Sequence, residues 1–273
     1  MEDTLVSLGV LAGTVTVCQV LRRTAKELLH PRGRRRRVSL EVATELFSTL
    51  QLCVCTHELQ LLIRSGLLPG RYAGLAFTYL ITLVHLATFG SATCNPINCL
   101  EQYLRGQSSG RAVASKVLAQ FGAASVARRL CEMVWYLDMS DLHWHHHQLG
   151  YHSTSSLNAN TRNGLVAEFL CGFALRVASF RFQHLQPWRK MHAVAALITF
   201  LVFAAGDLTG AVFNPALAYS ITFNCEGNTF LQYSFVYWLG PLLGTVTAVL
   251  MFDNRSVPSD AETEYQEESE KRD

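Results

Sequence analysis

The chain has 273 residues, of which 49% are hydrophobic and only 16% are charged. Because roughly a quarter of the residues in soluble domains are charged, this composition argues against an ordinary soluble protein and favours a membrane protein. The net charge of +2 at pH 7 identifies no class of partner, so the positions of the charges are more informative than their sum.

The first predicted element is a helix at residues 4–21, which are uncharged. Acidic residues precede this segment and basic residues follow it, which is the reverse of a cleaved signal peptide. We therefore expect a retained helix whose N-terminus lies outside the cytoplasm. Eight Lys and Arg residues follow between residues 22 and 37. Beside a membrane span they favour a cytoplasmic anchor over a nucleic-acid-binding segment, so residues 1–37 are expected to form an extra helix and a basic cytoplasmic linker.

The following membrane domain, residues 38–252, divides into two similar halves, at 38–136 and 164–252. The segment ATELFSTLQL at 43–52 resembles VAEFLCGFAL at 166–175, and an Asn-Pro pair follows each segment. Three membrane spans and one short Asn-Pro segment are predicted in each half, at 39–63, 72–91, 95–104 and 112–136, and at 164–182, 191–206, 214–223 and 230–252. Because three is an odd number of crossings, the second half enters the membrane from the opposite side, as an inverted repeat.

The basic residues predict the orientation of the spans. If the first span starts in the cytoplasm, the loops at 105–111 and 181–190, which contain Lys and Arg, are cytoplasmic as well. The loop at 137–161 then lies on the far side, and it contains neither Lys nor Arg. Arg64 and Arg71 depart from this pattern.

The end of the chain, residues 253–273, is polar and acidic. This composition predicts a disordered tail on the cytoplasmic side. Asn254 begins an Asn-Arg-Ser triplet that fits a glycosylation acceptor, but the predicted topology places it away from the glycosylation machinery. We therefore expect no glycan there.

Two Asn-Pro triplets, Asn95-Pro96-Ile97 and Asn214-Pro215-Ala216, lie between long apolar stretches. Asn is a preferred N-cap and Pro is preferred at the first helical position, so each triplet predicts the start of a short helix inside the membrane. Half-helices inserted from opposite faces would meet at the midplane and form the constriction of a pore for small neutral solutes. The alternative is that each pair caps a helix at an ordinary loop; two copies at matching positions favour the pore.

A histidine-rich segment, HWHHH at 143–147, lies in the predicted far-side loop. Clustered histidines can bind Zn²⁺ or Cu²⁺ or sense pH. The candidate ligands are His143, His145, His146 and His147. A solvated polar loop is the favoured interpretation, because no ordered set of acidic or Cys partners accompanies them. His85, inside the second predicted span, is open between pore lining and a hydrogen bond between helices.

The eight cysteines lie mainly in apolar segments without regular spacing. This distribution favours small buried side chains over disulfides or a metal site. No set of nucleophiles and bases resembles an enzyme active site, so neither enzymatic activity nor a cofactor is expected.

Several of these segments resemble one known family. Residues 208–218, LTGAVFNPALA, resemble the second Asn-Pro-Ala box of the aquaporins, or major intrinsic proteins, and 237–244, YWLGPLLG, resemble their last span. Residues 118–123 are similar to the third span of the family. The resemblance covers roughly residues 38–252. It implies an all-α membrane protein, an aquaporin-like inverted repeat in which each half has three transmembrane helices and one re-entrant half-helix, here with an extra N-terminal helix.

The resemblance also implies roles for particular residues. Glu45 and Glu168 match the paired buried carboxylates that hold the re-entrant loops of the family. Gly240 and Gly244 are expected to allow close helix packing in the last span.

Three departures distinguish the chain from ordinary aquaporins. Ile97 replaces the alanine of the first box, Leu217 stands where the family usually has the arginine of its selectivity filter, and the extra helix is unusual. These features resemble the unorthodox intracellular branch of the family. That resemblance implies a homotetramer in the endoplasmic reticulum membrane that passes water, glycerol and hydrogen peroxide, with no nucleic-acid partner. Val202 is expected to face the same region of the filter as Leu217.

Two functional hypotheses follow. The first is a passive channel for water and small neutral solutes. The second is a poorly conducting or non-conducting structural protein of the endoplasmic reticulum that keeps the aquaporin fold, which the departures at Ile97 and Leu217 leave open.

Overall fold

The computed structural model describes residues 2–29, 33–223 and 225–252. Within these residues the chain is helical apart from connecting loops and one isolated bridge between Thr154 and Glu226. The acidic tail at 253–273, with Asn254, and part of the basic linker lie outside the described residues. The all-α fold agrees with the class predicted from the sequence.

The first part of the chain comprises the N-terminal helix α1 and the first repeat. Its helices are α1 (Glu2–Leu28), α2 (Arg34–Arg64), α3 (Arg71–Thr88), the half-helix α4 (Pro96–Leu104), α5 (Gly110–Trp135) and the short α6 (Asp141–Gln148). The predicted spans at 39–63, 72–91 and 112–136 and the short segment at 95–104 correspond to α2, α3, α5 and α4.

The second half repeats this order. It contains α7 (Thr161–Arg181), a 3-10 turn (Phe182–His184), α8 (Pro187–Thr209), the half-helix α9 (Pro215–Ile221), α10 (Phe230–Ser234), a π-helical turn (Phe235–Leu239) and α11 (Gly240–Phe252). The π-helical turn ends two residues before Pro241, whose ring would clash with the carbonyl of Tyr237 in a regular α-helix. Widening the helix by one residue relieves this clash, so the last span is continuous but not uniform.

Four helices of the described chain are long and apolar enough to cross a membrane: Glu2–Leu28, Arg36–Arg64, Pro187–Thr209 and Phe230–Phe252. The more polar α5 carries several of its charges in ion pairs. Lys116, which is 10% exposed, lies 2.7 Å from Glu41 of α2, and Arg128 lies 3.4 Å from Glu132. Pairing lowers the cost of these charges in a buried helix.

Helix α1 is longer than the sequence predicted. Residues 22–28, expected as linker, continue the helix, because no Gly or Pro interrupts the chain between Gly13 and Leu28. Arg22 is buried and donates to Gln51 Oε1 at 2.7 Å and to Ser48 Oγ at 3.4 Å, both on α2. The sequence places this arginine in a basic cytoplasmic anchor, and in the structure its side chain lies in a contact between two helices.

The histidine-rich segment is also not the solvated loop that the sequence favoured. It forms α6, and the His143 side chain is completely buried. His143 Nε2 lies 3.0 Å from Glu58 Oε1 on α2, while Trp135 Nε1 donates to Glu58 Oε2 at 2.8 Å. The burial of His143 depends on this distant carboxylate, which local sequence does not reveal.

The other histidines of α6 are less buried than His143. No group of three His, Cys, Asp or Glu side chains in the described residues is arranged to hold a metal ion. Burial, followed by the nearby His143, lowers the pKa of His146. The His146 ring packs edge-on against Trp135 with ring centroids 4.6 Å apart.

Close contact of α7 with α11 depends on small residues. A Cβ on Gly244 would overlap the carbonyl oxygen of Phe169, and a Cβ on Gly240 would lie 3.0 Å from the carbonyl oxygen of Leu165. Gly172 gives the reciprocal contact on α7, where a Cβ would lie 2.8 Å from the carbonyl oxygen of Pro241. These glycines let the two backbones approach without a layer of side chains between them.

All eight cysteines are buried free thiols, as the apolar context predicted. The two arginines that depart from the charge pattern are both engaged by other segments. Arg64 donates to Ser156 Oγ at 2.9 Å, and Arg71 lies 3.3 Å from Asp207 of α8. Each arginine therefore has a polar partner in a distant segment of the chain.

Candidate pore constriction

The two half-helices begin in the same way. Asn95 and Asn214 both have an extended backbone, and a proline follows each at the first helical position. Asn95 Oδ1 accepts a hydrogen bond from the Ile97 N–H at 3.0 Å, and Asn214 Oδ1 accepts from the Ala216 N–H at 3.1 Å. Each side-chain oxygen therefore caps its own helix. The helix starts predicted from the sequence are present in both halves.

A buried carboxylate holds the loop in front of each half-helix. Glu45 accepts from the backbone N–H groups of Thr93 at 2.8 Å and Cys94 at 2.9 Å. Glu168 accepts from those of Val212 at 3.0 Å and Phe213 at 2.5 Å. Both carboxylates are almost fully buried, so the hydrogen bonds compensate for lost hydration.

The residue before each asparagine has an unusual backbone. Cys94 has a φ of 53° and Phe213 a φ of 36°, in the left-handed region that non-glycine residues rarely adopt. This conformation turns the backbone N–H of each residue toward its glutamate. The strain occurs at equivalent positions of both repeats, which is typical of a functional site.

The two loops are also joined to each other. Asn95 Nδ2 donates to the carbonyl oxygen of Phe213 at 3.1 Å, and Asn214 Nδ2 donates to that of Cys94 at 2.7 Å. Each asparagine thus bonds to the residue that precedes the other asparagine. A primary amide has two N–H groups, so one remains on each side chain for a molecule between the helix starts.

A cavity of about 360 Å³ adjoins these amides. Its wall combines residues of α2, α3, α4, α7, α8 and α9 with the two loops, and it includes Asn95, Asn214, Leu217 and Val202. The structure therefore brings together four of the residues singled out from the sequence. Pro96, Ile97, Pro215 and Ala216 do not lie on this wall. Ile97 and Ala216 are buried, and their backbone N–H groups donate to the asparagine side chains.

The cavity wall contains no Asp, Glu, Lys or Arg among the described residues. His85 lies on it, 6% exposed, with its ring stacked on Phe89 at a centroid distance of 4.9 Å. No hydrogen-bond partner in the described chain reaches His85 Nε2. The sequence left His85 open between pore lining and a hydrogen bond between helices; the observed position is on the cavity wall.

Sequence reasoning missed the residues that support the two glutamates. Gln120 Nε2 donates to Glu45 Oε2 at 2.9 Å, and Thr209 Oγ1 donates to Glu168 Oε1 at 2.6 Å. Tyr237 completes the second site, because its hydroxyl donates to the carbonyl oxygen of Thr209 at 2.7 Å. Gln120 lies in the segment at 118–123 that resembled the family, which is the one signal that pointed to it.

An inverted repeat with two opposed half-helices defines the class of this protein as a multi-pass membrane channel fold. A family model described as Major intrinsic protein matches residues 90–252. The chain is 35% identical over 252 residues to Aquaporin-11 from Homo sapiens, covering 92% of this chain and 90% of that protein. It is 34% identical over 249 residues to Aquaporin-12 from Mus musculus, covering 90% and 84% of the two chains. The chain belongs to the major intrinsic protein family.

A solved structure supports the same fold. The aquaglyceroporin from Plasmodium falciparum superimposes with a TM-score of 0.62, covering 78% of this chain and 95% of that one. At 14% sequence identity, this similarity concerns the fold alone. The expected resemblance to the unorthodox branch is confirmed by the relatives named Aquaporin-11 and Aquaporin-12.

Proposed function

We propose that this protein is a passive channel for water and small neutral solutes, with its constriction at Asn95 and Asn214. The reciprocal hydrogen bonds between these asparagines and the opposite loops carry the proposal. They fix two helix N-termini, each with partial positive charge, beside one cavity. The remaining amide N–H groups can donate to the oxygen atom of a passing solute.

The charges around the cavity favour neutral solutes. No Asp, Glu, Lys or Arg of the described chain lines it, so an ion that enters meets no compensating charge. The two helix N-termini repel cations in particular. A neutral solute with a hydroxyl group loses less hydration and can accept from the asparagine amides.

Leu217 and Val202 make the proposed filter apolar. A filter arginine would supply fixed donors and a positive charge, whereas Leu217 supplies neither. We therefore infer weak discrimination between water and larger neutral solutes, including glycerol and hydrogen peroxide. The pore would rely on the half-helix ends to exclude cations.

The proposal includes a cellular and a quaternary setting. We infer a homotetramer in the endoplasmic reticulum membrane with a cytoplasmic C-terminus. Large apolar side chains on the outer surface support contact with lipid or neighbouring subunits. Examples are Leu118, Phe200 and Leu250, which are 73%, 61% and 80% exposed.

The test is permeability of the purified protein in liposomes. Stopped-flow measurements with water, glycerol and hydrogen peroxide are expected to give rates above those of empty liposomes for at least one solute. Asn95→Ala and Asn214→Ala are expected to reduce these rates. Leu250→Ala, which changes an exposed residue remote from the cavity, is the control and should leave them unchanged.

A structural role without conduction is the second candidate. Leu217 favours it, because its side chain packs against two buried apolar clusters as well as lining the cavity. If no solute crosses faster than in empty liposomes while the protein is folded, the channel proposal fails and this role replaces it.

A further inference from the structure

The extra helix α1 forms one wall of a second cavity, which we call the basic cavity. Its volume is about 1020 Å³, and it lies between α1, the beginning of α2 and the end of α3. Arg22, Arg23 and Lys26 of α1 line it, together with Arg37 and Glu41 of α2. The cavity thus combines four cations with one carboxylate.

The single carboxylate is already neutralised. Glu41 lies 2.7 Å from Lys116 and 3.6 Å from Arg37. The three cations of α1 therefore have no counter-charge on the cavity wall. In the described chain none of the three takes part in an ion pair with an acidic residue.

The arrangement of these cations differs from that of a solvated charged face. Arg22 is buried, and its hydrogen bonds within the described chain go to neutral partners: Gln19, Ser48 and Gln51. A buried cation with neutral partners is costly unless an anion lies nearby. Arg23 and Lys26 are exposed at the same cavity and can move toward such an anion.

We propose that the basic cavity binds the phosphate group of an anionic membrane lipid. Guanidinium groups bind phosphate oxygens through paired N–H donors, and a Lys adds a point charge. Because α1 is long and apolar enough to cross the membrane, its basic end lies where lipid headgroups lie. Basic residues next to a span attract anionic lipids.

The site also adjoins the candidate pore. Phe89 and Gly90 line both the basic cavity and the cavity at the asparagines. A headgroup bound in the basic cavity would therefore contact residues that also line the cavity at the asparagines. The proposed lipid-binding site does not depend on whether the protein conducts solutes.

The experiment titrates the purified full-length protein in detergent and follows binding by isothermal calorimetry. The probes are a short-chain phosphatidylinositol phosphate, a short-chain phosphatidylcholine and inorganic phosphate. We expect saturable binding of the first, none of the second and weaker binding of the third. Arg23→Glu with Lys26→Glu should weaken binding of the anionic lipid on the order of tenfold or more.

The matched control is Arg111→Glu with Lys190→Glu, which changes the net charge equally. Both residues are exposed and neither lines the basic cavity, so binding should persist. If the reversed-charge pair at residues 23 and 26 does not fold, Arg23→Gln with Lys26→Gln replaces it. Equal loss in both double variants, or no saturable binding of the anionic lipid, overturns the proposal. Inorganic phosphate binding as tightly as the lipid overturns the lipid assignment.

Discussion

At the scale of single residues, the site depends on hydrogen bonds that cross from one repeat to the other. The asparagine of each half donates to the residue before the asparagine of the other half. Each asparagine also caps its own helix. One side chain therefore caps its own helix and also holds the opposite loop. The reciprocal contact requires one such asparagine in each half of the chain.

Leu217 offers a direct test of the proposed filter. Leu217→Arg would add donors and a positive charge beside the cavity that Leu217 now lines. We expect the water-to-glycerol permeability ratio in liposomes to rise roughly tenfold, because an arginine narrows the cavity against the larger glycerol, while its N–H groups still donate to the oxygen atom of water. Leu217→Met, which keeps an apolar side chain, is the control. An unchanged ratio in the arginine variant would place residue 217 outside the constriction.

The sequence predicted the asparagines but not all of their supports. The Asn-Pro pairs and the paired glutamates are recognisable because each carries a local signal, a cap or a lone carboxylate in an apolar helix. Cys94 and Phe213 carry none. Their left-handed φ angles arise because Glu45 and Glu168 draw in their N–H groups, and that constraint comes from helices far away in sequence.

At the scale of elements, the long helices were predictable because apolar stretches and breaker residues delimit them. The failures concern α6 and the end of α1, where charged or polar residues enter helices. His143 and Arg22 appear solvent-exposed in the sequence, yet partners on α2 bury both. A local pattern does not reveal such partners, because they depend on how the helices pack.

The contact of α7 with α11 gives a prediction for packing. Gly244→Ala would place a methyl group against the Phe169 carbonyl, and overpacking of this kind lowers the free energy of unfolding by about 1–3 kcal/mol. Gly122→Ala in α5 is the matched control, because nothing lies within 4 Å of the added Cβ. Denaturant titration in detergent should show a loss for the first variant only. Equal stability of both variants would contradict the close approach of the two helices.

The buried pair of His143 and Glu58 gives a second prediction at this scale. His143→Ala leaves Glu58 with one fewer partner in a buried site, so we expect a loss of about 3–5 kcal/mol in the free energy of unfolding. A double-mutant cycle with Glu58→Gln should show a coupling free energy of roughly 1–3 kcal/mol. His145→Ala, at an exposed position of the same helix, should change stability little. Additive effects of the two buried substitutions would contradict a direct pair.

At the scale of the whole molecule, α1 is attached at both ends rather than appended. Near its start, Asp3 Oδ1 accepts from the Leu142 N–H at 3.0 Å, which caps α6. Near its end, Arg22 bonds to α2. Because α1 spans between these contacts, it connects the histidine-rich helix on one side of the molecule with the basic cavity on the other.

Because the helices pack in one arrangement, knowing on which side of the membrane one loop lies determines the side of every other loop. The proposed orientation places the loop at 137–161 in the lumen and Asn254 in the cytoplasm. His152→Asn creates an acceptor triplet with Ser153 and Thr154 in a loop where His152 is 52% exposed. We expect this variant to gain a glycan in cells, seen as a mobility shift removed by endoglycosidase, whereas the natural triplet at Asn254 stays unmodified. A glycan at Asn254, with none on the His152 variant, would require the whole molecule to be inverted in the membrane. The basic cavity would then face the lumen.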